Sequence, residues 1–282
     1  MDELSFLQTA LPEDWAAYPR ALMEALAQHA ARLRRTVPWC AALSEEAYQQ
    51  YVLCPRVNDE DLSDHRALFL GGLTPSLGAL ELARTAQVEL MAMVRPREGG
   101  FCYTQEEFCT MLLDARRLLD AGADGIVFGF LHEDGTVDVR RCQAMLEVIG
   151  TRQSVFSRAI DVVPDWRAGL EALCALGVTR VLTSGQAPTA PEGADTIRAM
   201  REYAAGRIEI LPGCGVRLNN AAWLLERTGC RQLHASLKTA RLDRSATHNP
   251  CVHFSGGACP PEEEYPATDA GAVRCLTALA RE

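Results

Sequence analysis

From residue 76 onward, short apolar runs alternate with longer stretches whose apolar residues recur at helical spacing. The short runs are VELMAMV (88–94), GIVFGF (125–130), SVFS (154–157), RVLTSG (180–185), RIEILPG (207–213) and QLHAS (232–236). Most are rich in β-branched or apolar side chains, the mark of strands buried on both faces. Between them lie QEEFCTMLLDARRLLDAG, VDVRRCQAMLEVIG, DWRAGLEALCALG, GADTIRAMREYAAG and LNNAAWLLERTG. Most of these place apolar residues on one helical face and finish on Gly, a common helix stop. The phrases AGADGIVFG, LGVTRVLTSG and TGCRQLHAS share one order: helix end, Gly, short turn, buried strand. Serial βα construction of this kind predicts a parallel sheet covered by helices.

The fold class expected is therefore α/β, a TIM (β/α)8-like barrel, with two strands still to be found upstream of the six units. TVPWCAAL (36–43), with SEEAYQQYVLC as its helix, and RALFL (66–70) are the faint segments available. Residues 13–35 read as an amphipathic helix that fits no barrel slot. This assigns residues 1–35 to an N-terminal helical extension and 36–282 to a single barrel domain. DAGAVRCLTALARE reads as the closing helix. HEDGTVD (132–138) is only superficially like a calcium loop; its Asp-Gly step is a turn signal and predicts a hairpin-like loop.

Composition narrows the function classes. At 282 residues, 48% hydrophobic and 23% charged, the chain has the make-up of a soluble globular protein. A net charge of −9 without a basic stripe argues against a nucleic-acid partner. A locally positive cleft can still hold a small anion. No stretch approaches a transmembrane span, so no membrane partner is expected. The acidic N-terminus, MDELSFLQTALPEDW, lacks the features of a signal peptide. Eleven cysteines are scattered singly, without a CxxC pair. Cys109, Cys142 and Cys174 fall on expected helices, where free cysteine serves as a small apolar side chain. The expected location is cytoplasmic, with reduced thiols.

In a βα barrel, ligands bind at the C-terminal strand ends. The residues there are Arg95 and Arg97, then Ser157, Arg158 and Asp161, then Thr183, Ser184 and Gly185, then Gly213, Cys214 and Gly215, and finally His234 and Ser236. This gives Arg95, Arg97, Arg158, Ser184, Gly185, Gly213, Gly215 and Ser236 as candidates for binding an anion. Guanidinium forks suit carboxylate or phosphate, and Gly-rich turns let N–H groups approach an anion. Arg95 and Arg97 alternate to the same side of the strand, facing either such a ligand or a neighbouring carboxylate. An internal pairing of one arginine with Asp161 is the plain alternative, as an ordinary tight turn is for PGCGV. Asp161 and His234 are the candidate proton carriers, although a lone strand histidine is more often a hydrogen-bonded core residue. Cys214 precedes a helix, where its thiol pKa would be depressed; a small side chain tolerated in a turn is the plainer reading.

GGLTPSLGALELAR, MVRPREGGFCYTQEEF, GADGIVFGFLHEDGTVD, SRAIDVVPDWRAGLEAL, LGVTRVLTSGQA, GRIEILPGCGV and LHAS together resemble the copper homeostasis protein CutC family. The resemblance runs from about Gly71 to the C-terminal helix, about three quarters of the chain. It implies a cytoplasmic TIM-like barrel, a homodimer or higher homo-oligomer, and copper as the metal handled. The N-terminal quarter departs from the family. Counted back from GGLTPS, the second family cysteine falls on His65 and the acidic residue two before it on Ser63. Cys40 in VPWCAA stands in for the first cysteine. Ser157 occupies a position where the family usually has histidine, and Cys214 replaces the middle glycine of PGCGV. Cu(I) wants thiolate or thioether ligands, so the resemblance implies a degraded inherited copper site. Cys40, Cys214 and His234 remain as candidate metal ligands.

Three functions follow as expectations: a copper-homeostasis protein that binds Cu(I), a barrel enzyme or binder for a small anionic metabolite, phosphorylated ones included, or a non-catalytic relative kept for association.

Overall fold

The computed structural model describes residues 72–86, 88–249 and 264–279. The chain divides into two compact units, Met1–Pro55 and Arg56–Glu282, and every described residue lies in the second. The helix expected at 13–35, the strands expected at 36–43 and 66–70, and Cys40, Ser63 and His65 lie outside the described residues.

Five parallel strands carry the fold: β1 (Met91–Met93), β2 (Gly125–Phe128), β3 (Gln153–Phe156), β4 (Arg180–Thr183) and β5 (Glu209–Pro212). Their order in the sheet is their order in the chain. A doubly wound sheet would reverse direction at a switch point; none occurs among the described strands. The helices are α1 (Leu77–Ala83), α2 (Gln105–Asp120), α3 (Val139–Ile149), α4 (Trp166–Leu176), α5 (Ala194–Ala204), α6 (Ala221–Thr228) and, near the C-terminus, α7 (Ala270–Leu279). From α1 to α6 each helix packs on the next one along. They therefore cover one face of the sheet as a continuous layer, the arrangement of a TIM-like barrel wall.

Alternation along the strands sets the two faces. Ala92, Ile126, Phe128, Phe156, Val181 and Ile210 are buried on the helix side. Val127, Val155 and Leu182 form the opposite, inner cluster with Met91, Met93 and Leu211. Local signals set the helix ends as expected. Thr104 and Glu107 make a capping box at the start of α2, and Asp138 and Asp165 cap α3 and α4. Gly177 closes α4 with φ 77°, a left-handed conformation that glycine adopts without penalty.

Two features differ from the sequence reading. QLHAS does not form a sixth parallel strand. It follows β5 for one backbone hydrogen bond, His234 N–H to the Pro212 carbonyl at 2.8 Å, before Leu237 turns the chain with φ 45°. The next ladder is instead antiparallel, β6 (Lys238–Leu242) with β7 (Glu264–Thr268), a pair whose half-exposed, polar pattern gave no strand signal. HEDGTVD is hairpin-like as expected: Leu131 bridges Val137 and His132 N–H donates to the Thr136 carbonyl.

Candidate functional site

The C-terminal strand ends stay in register beyond the ladder. Val94 N–H donates to Val127 O (2.8 Å), Ser157 N–H to Phe128 O (2.7 Å), Gly213 N–H to Thr183 O (2.9 Å) and His234 N–H to Pro212 O (2.8 Å). The expected site residues therefore stand in sequence order along one edge of the sheet. What they do there differs from residue to residue.

Arg95 is buried at 8% exposure, with Nη2 donating to Gly99 O at 2.6 Å and its guanidinium over the Phe101 ring. Arg97 faces a carboxylate. It forms a bidentate pair with Glu107, Nε to Oε1 at 2.5 Å and Nη2 to Oε2 at 3.2 Å. It also donates to the carbonyls of Glu98, Gly100 and Cys102 and lies over Tyr103. The Arg97 guanidinium holds the Glu107 carboxyl below the usual carboxylate range, while burial raises the Tyr103 phenol. Of the two readings open for this strand end, the neighbouring carboxylate fits Arg97.

Asp161 is the most heavily bonded group on the rim. Its side chain, 6% exposed, accepts from Arg158 Nε (2.9 Å), Thr183 Oγ1 (2.5 Å), Ser184 N–H (2.9 Å) and Gln186 N–H (3.2 Å). Arg158 Nη2 reaches Ser184 Oγ at 2.7 Å. The N–H of Gly185 is taken by Thr183 Oγ1. Thr183, Ser184 and Gln186 thus hold an internal carboxylate, and lone pairs saturated in this way suit a positioning group better than a proton carrier.

PGCGV does not lead directly into a helix: a turn at Leu218–Asn220 intervenes before α6. Cys214 and Gly215 both have left-handed φ, 75° and 72°. Cys214 Sγ lies 3.3 Å from Pro188 O, and the Gly213 N–H is already donated to Thr183. A Cβ at Gly213 would sit 3.2 Å from the Cβ of His234, so the Cys214 loop and His234 are close neighbours. The Ser236 carbonyl accepts from Thr268 Oγ1 at 3.5 Å.

A further opening lies on the inner face of the sheet. This cavity of about 190 Å³ is lined by Met91, Val127, Val155, Leu182, Leu211 and His234, with Glu89 and Arg180 at its polar end. Arg180, buried at the start of β4, pairs with Glu209 (3.0 Å) and donates to Gln153 (3.2 Å), which in turn donates to Glu89. Sequence reading passed over Arg180; its only signal was a charged residue opening the apolar run RVLT.

Copper can be tested against these side chains. Cu(I) needs soft donors converging on one point. Among the described residues no three of His, Cys, Asp and Glu form such a group. Cys214 and His234 supply one thiol and one imidazole from adjacent stretches.

An arc of parallel strands in chain order, walled by one layer of helices and ending in a polar rim, defines a TIM-barrel-like protein. The CutC family profile matches residues 61–239, and the chain belongs to the CutC family. Among its relatives, a "family protein CutC" of Treponema denticola is 48% identical over 225 residues, 79% of this chain and 90% of the relative. The human "Copper homeostasis protein cutC homolog" is 37% identical over 212 residues, 75% of this chain and 78% of its own. A CutC crystal structure from Streptococcus agalactiae superposes with TM-score 0.57 at 33% identity, covering 59% of this chain and 83% of that one. No described helix is long and apolar enough to cross a membrane.

Proposed function

We propose that this chain acts in copper homeostasis and takes Cu(I) as cargo through cysteine thiols. The observation that carries the reading is family membership, with a relative 48% identical over nine tenths of its own length. The names of the human, mouse and nematode relatives point to copper homeostasis. Of the described thiols, Cys214 is the best situated to hold the metal, being half-buried, on the rim, and next to the glycine that packs on His234. The seven described cysteines are free thiols, in keeping with a reducing cytoplasm. The rim argues less for an anionic metabolite, because Arg97 and Arg158 already face Glu107 and Asp161.

The test is an anaerobic titration of the full-length chain against a coloured Cu(I) chelator. Wild type is expected to withdraw about one equivalent of Cu(I) per protomer, and Cys214→Ser is expected to weaken uptake at least tenfold, about 1.4 kcal/mol. Wild type that leaves all Cu(I) with the chelator would contradict the reading. The same sample, weighed by light scattering, is expected to be a homodimer or larger, and a monomer mass would contradict that part.

A further inference from the structure

We propose that the turn after β4, Thr183–Ala187, is a carboxylate-binding nest whose resident anion is the chain's own Asp161. Several donors converge on this carboxylate from one short loop. Thr183 Oγ1 and Gln186 N–H approach Oδ1, and Ser184 N–H spans both oxygens at 3.1 and 2.9 Å. Arg158 Nε approaches Oδ2 from the side of the turn that follows β3. The Ser184 hydroxyl lies 2.9 Å from Oδ2 and 2.6 Å from the Ala187 carbonyl, so its single proton serves one of the two.

The backbone is shaped for this purpose. Gly185 and Gln186 both have positive φ, 73° and 57°, and the turn sends the Ser184 and Gln186 N–H groups to Asp161 while the Gly185 N–H between them is taken by Thr183 Oγ1. Gln186 bears a side chain in that region, and its Nε2 is anchored on the Val163 carbonyl at 2.7 Å. A loop that aims main-chain and side-chain donors at one buried point is complementary to a bidentate oxyanion. Here the oxyanion is covalently supplied, which ties the β3 turn to the β4 turn and keeps Arg158 oriented at the rim. Asp161 is therefore a positioning residue, and the nest is closed to outside anions while it is in place.

Truncation opens the site. Asp161→Ala removes only the carboxylate, and formate has the size and charge of the missing group. The full-length variant is compared with wild type by thermal unfolding in sodium chloride, formate or acetate at equal ionic strength. Asp161→Ala is expected to melt roughly 10 °C below wild type in chloride. Formate is expected to restore several degrees with saturation. Acetate, one carbon larger than the vacated space, is expected to restore less, and wild type to show no preference among the salts. Equal melting of Asp161→Ala in formate and chloride would overturn the proposal, as would a variant as stable as wild type. Should Asp161→Ala not fold in chloride, refolding yield in formate against chloride reads the same effect, and equal yields overturn it. Asp161→Asn fills the space but sets an amide N–H₂ against N–H donors. It is expected to be destabilised without formate rescue, and melting with wild type would also count against the nest.

Discussion

Cys142 has no exposed surface, and burial pushes its thiol up to about 12 from an ordinary 9.0. At neutral pH it is protonated whether the chain is folded or unfolded, so it contributes no pH dependence there. Above the unfolded value the open chain ionises first, and stability is lost as pH rises toward the folded value. Tyr103 moves the same way, since burial outweighs the opposing pull of Arg95. The expected urea midpoint is flat near neutrality and falls above about pH 9, at up to ~1.4 kcal/mol per pH unit for each such group. Cys142→Ala is expected to make the decline shallower. An unchanged midpoint across that range would contradict the burial argument. Glu107 has the opposite sign: Arg97 holds its carboxyl low, so that contribution is present at neutral pH and is lost on acidification.

The turn after β4 shows how an element depends on a single backbone position. A Cβ at Gly185 would lie 2.3 Å from the Gly193 carbonyl oxygen, where the turn packs against the start of α5, and φ is 73°. Gly177, left-handed at φ 77°, has open space around the same position. Alanine at Gly177 is expected to cost about 1–2 kcal/mol from the left-handed backbone alone. Gly185→Ala is expected to cost more, because the backbone of the turn must also move. Equal urea midpoints for the two variants would show that the close approach carries no weight. The helices and five strands were legible because burial on a parallel sheet writes continuous apolar runs with helical spacers between them. QLHAS carried the same local grammar but is not a strand of the sheet, and a strand needs a partner that no local pattern encodes. The Arg97–Glu107 pair was hidden for a related reason. Glu107 reads as a helix-start residue, and only the fold-back of the Gly99–Gly100 loop brings it to the guanidinium.

At the scale of the molecule, the strand order and the single helix layer bring residues 95, 158, 184, 213 and 234 to one edge of the sheet. That convergence was readable from the βα rhythm, because a barrel wall sends every strand end the same way. The partners waiting there were readable only in kind, as a carboxylate facing an arginine; that they are Glu107 on Arg97 and Arg158 on Asp161 was not, and it changes the meaning of the rim. Its arginines are engaged with carboxylates and carbonyls of the chain itself, so the copper role proposed above rests on sulfur, with Cys214 as the rim thiol. Copper K-edge absorption on the full-length chain, loaded anaerobically with one Cu(I) per protomer, tests this most directly. Sulfur in the first coordination shell of wild type, diminished in Cys214→Ser, is the predicted result. A shell of nitrogen and oxygen alone, or a Cys214→Ser spectrum identical to wild type, would contradict it.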